Sequence, residues 1–360
     1  MSKKLCSVIT GTGIYLPKRK VKNEDFLKHE FYQSCGSRIP KENQEVIDKF
    51  LEITTIAERR YVDDNMVASD MAYHAAQEAI TDAGIDKETL DYIIVAHNFG
   101  DIKHGSNRTD MVPTLAARVK YKLKIENPDT VAYDLPFGCP GWVQAAIQAD
   151  YYIKSGDAKR ILIIGSETLS RIIDPHDRDS LIYADGAGAT ILEAFETDKP
   201  KGIISHKTRS DTYIYSKMLT MAGSYKQDPE LEKDLFLKMN GRRLYQYALE
   251  NVPASIKACL DKSGIDIREV DKVLIHQANG KMDDAIIERL YKLYDIDEVP
   301  EGIMPMIISW LGNSSVATVP TLLDLILKEK LEGHSINEGD TIVFASVGAG
   351  MNINAIVYKV

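Results

Sequence analysis

The sequence predicts an α/β protein made of two copies of one unit, with sheets enclosed between layers of helices. Three observations predict it. Short continuous apolar runs, such as Ile161-Leu162-Ile163-Ile164 and Thr341-Ile342-Val343-Phe344, read as strands covered on both faces. Amphipathic, helix-like stretches alternate with them. A segment also recurs: Gly84-Ile85-Asp86 followed by Leu90 to Val95 returns as Gly264-Ile265-Asp266 followed by Val270 to Ile275. The offset is 180 (264 less 84), half of the 360-residue chain, which is the mark of an internal duplication.

Taken in order, a helix over Ala75 to Ala83 leads into the first repeated strand and matches Ser255 to Ser263 before the second. A second helix covers Val143 to Lys154. The runs at 161 and 341 are each followed by small residues, Gly165-Ser166 and Ala345-Ser346, and Gly188 to Ala194 and Ile353 to Lys359 read as further strands. The polar stretch Glu196 to Lys201 sets the boundary between an N-terminal half, 1–195, and a C-terminal half, 196–360. No flexible linker lies there, so the halves are expected to pack together. Lys28 to Gln44 and His97 to Asp110 read as long loops, which in compact domains are often functional.

Composition removes several function classes. The chain is 44% apolar and 27% charged, ordinary for a globular protein, and its net charge of −9 argues against general nucleic-acid binding. No apolar run approaches the roughly 18 residues of a membrane span, and the opening Met1-Ser2-Lys3-Lys4-Leu5 leads into no secretion-signal core. A cytoplasmic location is expected. Cys6, Cys35, Cys139 and Cys259 form no C-x-x-C pair, so neither a metal site nor a disulfide framework is indicated and the thiols are expected to be free.

The chemistry-bearing residues stand where strands end, the place ligands bind in open α/β sheets. Cys139, in Phe137-Gly138-Cys139-Pro140-Gly141, opens a helix; its N–H groups and dipole favour a thiolate and can hold an oxyanion. His276 follows the strand ending at Ile275. Asn313 lies in Gly312-Asn313-Ser314-Ser315, and Gly348-Ala349-Gly350 is a glycine-rich turn whose backbone can approach a ligand. Each also has a plainer reading. A cysteine can be an inert small hydrophobe, a strand-end histidine a satisfied core residue, Asn313 a turn or N-cap residue, and the glycines only a tight turn.

Their combination decides between these readings. Gly11-Thr12-Gly13-Ile14-Tyr15-Leu16-Pro17, Glu58-Arg59-Arg60, Gly165-Ser166-Glu167, Asp174-Pro175-His176-Asp177-Arg178, Tyr183 to Ala189, His276-Gln277-Ala278-Asn279, Gly312 to Ser315 and the Gly348 to Gly350 turn occur in order along the chain. In these segments the chain resembles β-ketoacyl-acyl carrier protein synthase III, the initiating condensing enzyme of the thiolase superfamily. The resemblance implies a duplicated thiolase fold, an α-β-α-β-α sandwich, a homodimer and an acyltransferase of fatty acid biosynthesis. It implies no cofactor. Its substrates are an acyl-CoA and malonyl-acyl carrier protein. By matching motif, Cys139 is the acyl-accepting nucleophile, His276 and Asn313 serve decarboxylation, and the N–H groups of Cys139 and Ala349 form an oxyanion hole.

The same residues separate neighbouring families. Ser346 to Met351 lacks the second cysteine of thiolases, Asn313 stands where elongating ketosynthases carry a second histidine, and the glycine turn lacks the pattern of type III polyketide synthases. The departures bear on substrate. Gly138 and Pro140 flank the cysteine, while Lys49 and Ile53 occupy positions where the family clamps coenzyme A, with Arg178 remaining on the other side. Gly348 and Gly350 are expected at the substrate. Val112 stands where the family closes the acyl pocket across the dimer, and Lys281 and Arg289 where it meets the acidic carrier protein. Two alternatives stay open: an accessory ketosynthase of specialised, polyketide or alkylresorcinol-like metabolism, and a noncatalytic partner subunit.

Overall fold

The computed structural model describes residues 4–360. Met1–Lys3, part of the opening read above as no secretion signal, lie outside them. The first half runs β1 (Lys4–Tyr15), β2 (Arg19–Lys22), α1 (Asn43–Thr54), β3 (Glu58–Tyr61), α2 (Ala68–Ala83), β4 (Tyr92–His97), α3 (Leu115–Leu123), β5 (Val131–Pro136), α4 (Gly141–Ser155), β6 (Arg160–Thr168) and β7 (Asp185–Thr197). The second runs β8 (Gly202–Ser210), α5 (Thr212–Tyr215), β9 (Leu219–Ala222), β10 (Phe236–Met239), α6 (Gly241–Ser263), β11 (Lys272–Ile275), α7 (Gly280–Lys292), α8 (Ile308–Leu311), α9 (Thr318–Leu327), β12 (Thr341–Gly348) and β13 (Asn352–Lys359).

The larger sheets have matching orders, β1-β7-β6-β4-β5 in the first half and β8-β13-β12-β11 in the second. The first keeps one strand more, β5, at its edge. The sequence repeat is a repeat of local devices. α2 and α6 stop at Gly84 and Gly264, whose left-handed φ of 64° and 74° suits a residue without Cβ. Asp86 and Asp266 then accept the N–H two residues on, at 3.0 and 2.9 Å, which starts one tight turn before each strand. Asp91 and Asp271 receive backbone N–H groups at the starts of β6 and β12, fixing neighbouring strand registers alike.

Burial explains the layering. α9 is buried from Thr318 to Ile326 and apolar nearly all round, so it can only be an interior helix. It lies with α4 between the two sheets: Trp142 and Ile147 of α4 share one core with Ile163 and Leu192 of the first sheet and Phe344 and Ile356 of the second. α2 and α3 cover the outer face of the first sheet, and α6 and α7 that of the second. The result is the α-β-α-β-α sandwich.

The segment before α9 is pressed onto the first sheet. A Cβ on Gly165 would stand 2.3 Å from the Val316 carbonyl oxygen, so only glycine admits this approach. Gly165→Val should therefore lower the unfolding free energy by roughly 1–3 kcal/mol or more. The expected reading is a lower urea midpoint at unchanged slope. A wild-type midpoint would show that the loop over Gly165 can yield.

Candidate active site

Four chain segments from both halves converge on one cavity of about 970 Å³. Cys139 follows β5, His276 follows β11, Asn313 precedes α9, and Ala349 follows β12; all four line it. Gly138 makes the bend before the cysteine. Its φ of 73° and the 3.2 Å from a Cβ there to the Ala349 nitrogen both favour glycine. A Cβ on Gly348 would stand 2.8 Å from the Cys139 nitrogen and 2.6 Å from Pro140 Cδ. The Cys139 and Ala349 turns are thus in contact, and the Cys139 N–H has no backbone acceptor among the described residues. Gly350 lines the cavity at φ 75°, whereas Gly348 does not face it and packs behind the nucleophile loop.

The four cysteines are free, with Cys6 and Cys259 buried. Cys139 is half-buried, and its sulfur receives the Ser315 hydroxyl at 3.1 Å. The expected helix-favoured thiolate is corrected here. Burial pushes the Cys139 thiol up to about 11; the Ser315 bond pulls down, and the nearby Glu167 charge pushes up again. Burial is the largest cause of the rise; α4 starts at Gly141 with Pro140 as its cap, so Cys139 stands just before the helix.

His276 is buried, and burial lowers it to about 4 against a weaker opposing bond with the Ser315 backbone, so the ring is neutral near pH 7. Among the described residues its Nδ1 has no partner, which the reading as a satisfied core residue does not explain. Asn313 is held by main-chain bonds, its N–H to Ile182 at 2.9 Å and its carbonyl from Ala184 at 2.8 Å. Its Oδ1 accepts the Ser315 N–H at 2.7 Å. That oxygen makes Asn313 a turn residue, as the plainer reading had it, and the Nδ2 hydrogens are what the side chain can offer the cavity.

Three further residues belong to the site. Ser315 touches the sulfur, Asn98 donates to Ser315 Oγ at 3.0 Å, and the buried Glu167 receives the Asn98 N–H at 2.7 Å. Ser315 and Glu167 sat within motifs but drew no role of their own. Asn98 follows β4, and the strand-end rule applied to every strand would have found it. Gln277 acts at one remove: its Oε1 takes the Ile307 N–H at 2.8 Å and its Nε2 donates to Pro305 at 2.8 Å, fixing the chain that leads to Asn313.

At the mouth, Lys49, Ile53 and Arg178 line the cavity as expected of a clamp region. Lys49 binds Glu52 at 2.9 Å, and Arg178 approaches Asp179 at 3.7 Å. Lys281 is exposed and also held by Glu52, at 3.5 Å; Arg289 is exposed further along α7. Val112 is 88% exposed and does not line the cavity of its own chain, as a residue expected to act across a dimer need not; the loop before it is tied down by Arg118, which binds Asp101 and Asp110 at 2.7 and 2.6 Å. Only Asn98 and Phe99 of that loop reach the cavity.

A duplicated sandwich whose halves bring a cysteine, a neutral histidine and an asparagine to one cavity defines a condensing acyltransferase of the thiolase fold. Residues 133–212 match the family model described as 3-oxoacyl-[acyl-carrier-protein (ACP)] synthase III, and residues 260–360 match its C-terminal counterpart. A β-ketoacyl-[acyl-carrier-protein] synthase III of Ehrlichia chaffeensis is 32% identical over 96% of both chains, and one of Staphylococcus haemolyticus 31% over 98% of both. Among solved structures, the 3-oxoacyl-[acyl-carrier-protein] synthase III of Aquifex aeolicus superposes with a TM-score of 0.77 at 27% identity, over 98% of this chain and 100% of that one. The chain belongs to the β-ketoacyl-[acyl-carrier-protein] synthase III family. It is an initiating condensing enzyme of fatty acid biosynthesis.

The raised thiol makes a prediction. Alkylation of Cys139 by iodoacetamide, mapped by peptide mass, should keep rising with pH beyond the ordinary thiol value of 9.0 toward about 11. A plateau near neutral pH would mean that the start of α4 governs the sulfur after all.

Proposed function

We propose that Cys139 accepts the primer acyl group and that His276 and Asn313 drive decarboxylation of malonyl-acyl carrier protein. The observation that carries this reading is the meeting of these three side chains and the Ala349 turn at one cavity. The Cys139 sulfur attacks the donor thioester, its oxygen held by the Cys139 and Ala349 N–H groups. The donor thiol leaves with the cysteine's proton. Malonyl thioester then loses CO₂, and the negative charge arriving on its oxygen meets two uncharged donors. The resulting carbanion attacks the acyl-cysteine, and the released thiolate takes up a proton as 3-oxoacyl-acyl carrier protein forms. No cofactor enters.

Further parts of the reading rest on the surface. Strand β5 is a sheet edge with partly exposed residues, which supports a homodimer paired along it. In such a dimer the exposed Val112 is free to reach a partner's acyl pocket. Among the described residues no helix is long and apolar enough to cross a membrane. We take the enzyme to be cytoplasmic. Lys281 and Arg289 offer exposed cations to the acidic carrier protein, although Lys281 must first leave Glu52.

A donor carried on coenzyme A is the family expectation. A second reading, a carrier-bound donor of a specialised pathway, is favoured by Lys49 and Ile53 at the mouth, where a purine would need a flat stacking surface. A panel of acyl-CoAs and acyl carrier proteins, read by intact mass, separates the two. No adduct on Cys139 from any donor would leave the noncatalytic reading standing.

Cys139→Ala should abolish the acyl adduct. His276→Ala and Asn313→Ala should still acylate but lose on the order of 10²–10³ in CO₂ release from malonyl-acyl carrier protein. Full condensation by Asn313→Ala would remove that residue from the mechanism. Because His276 becomes protonated only as the pH falls toward about 4, CO₂ release should show no loss from its titration between about pH 7 and about pH 5. An acid limb near the ordinary histidine value would contradict the burial of the ring.

A further inference from the structure

We propose that the Ser315 hydroxyl donates to the Cys139 sulfur and favours its thiolate, and that Asn98 and Glu167 are positioning residues that hold the hydroxyl in that sense. The inference rests on Cys139 being the acyl acceptor. It goes beyond the three side chains assigned above, since it supplies what the start of α4 does not.

A hydroxyl 3.1 Å from sulfur could either donate or accept. Asn98 decides the direction. Its Nδ2 carries two hydrogens: one goes to Glu167 Oε2, and the other lies 3.0 Å from Ser315 Oγ and occupies that oxygen as an acceptor. The Ser315 oxygen keeps a second lone pair, but among the described residues its hydrogen has no acceptor other than the sulfur it faces. The Asn98 amide cannot turn over, because its carbonyl oxygen would then meet the Glu167 carboxyl, which also receives the Asn98 main-chain N–H at 2.7 Å.

Ser315 is itself fixed. It is 2% exposed, takes a left-handed φ of 54°, and has its N–H bound by Asn313. One short segment thus presents an amide to the cavity and a hydroxyl to the nucleophile. A bond to an ionised sulfur is stronger than one to the neutral thiol, so this donor stabilises the attacking form. Glu167 works in two opposed ways. Its oxygen orients Asn98, while its buried charge, with Oε1 unpartnered, disfavours a second negative charge on sulfur.

The opposition makes the test specific. Iodoacetamide alkylation of Cys139 in the full chain, followed against pH by the mass of its peptide, reads the sulfur without any acyl donor. Ser315→Ala should move the midpoint up by about one pH unit and slow alkylation about tenfold near neutral pH. Asn98→Ala should shift it the same way by less. Glu167→Gln, which keeps an acceptor oxygen and removes the charge, should move it down. A wild-type midpoint in folded Ser315→Ala, or an upward shift in Glu167→Gln, would overturn the proposal. If Ser315→Ala does not fold, an unshifted midpoint in Asn98→Ala does so instead. A wild-type protein whose Cys139 alkylates as expected but accepts no acyl group would overturn the proposed function and leave this hydroxyl-to-sulfur bond intact.

Discussion

The contact between the Gly348-Ala349 turn of one half and the Gly138-Cys139-Pro140 turn of the other is the constraint on which the site depends. Backbone meets backbone there, with no room for a side chain on Gly348. The approach is possible because α4 and α9, one from each half, are buried side by side between the two sheets. Val316 over Gly165 repeats the arrangement a short distance away. The halves therefore cannot slide without separating the nucleophile from the turn behind it. A site composed from two halves is held as rigidly as the core.

Burial also sets the electrostatics. It raises the Cys139 thiol to about 11, lowers His276 to about 4 and raises the Glu167 carboxyl to about 7. These shifts have one sign in physical terms, each favouring the uncharged form. Such a cavity is poorly suited to keeping a malonyl carboxylate and well suited to neutral donors that gain most when charge appears on a thioester oxygen. The same enclosure makes the nucleophile harder to ionise. The hydroxyl of Ser315 offsets part of that cost, and it comes from the segment that carries Asn313.

The mouth follows different rules. Lys49, Arg178 and Lys281 are partly solvated and matched by Glu52 or Asp179, so each is worth little as an isolated ion pair. Any steering of a charged partner by such exposed cations weakens with salt. Family membership holds for the whole chain, while the proposal about the donor's carrier rests on a few exposed side chains at the mouth.

The duplication, the strand-helix alternation and the positions of Cys139, His276 and Asn313 were legible because each depends on local pattern: apolar runs, capping glycines, and residues placed at strand ends. Sequence alone determined the duplicated α/β fold and named Cys139, His276 and Asn313 as candidates, which the structure brings to one cavity. What it left open depends on distances through space. The thiolate expected from the start of α4 is disfavoured by enclosure, which raises the half-buried thiol and is a property of all surrounding segments. Arg118 ties down the loop before the exposed Val112, and Gly348 packs against the Cys139 turn rather than lining the cavity. The direction of the Ser315 hydroxyl follows from Asn98 and Glu167, residues 217 and 148 positions away (315 less 98 and 315 less 167). Only the packed tertiary structure brings such donors and acceptors within hydrogen-bonding distance, and so only it decides how the nucleophile is held.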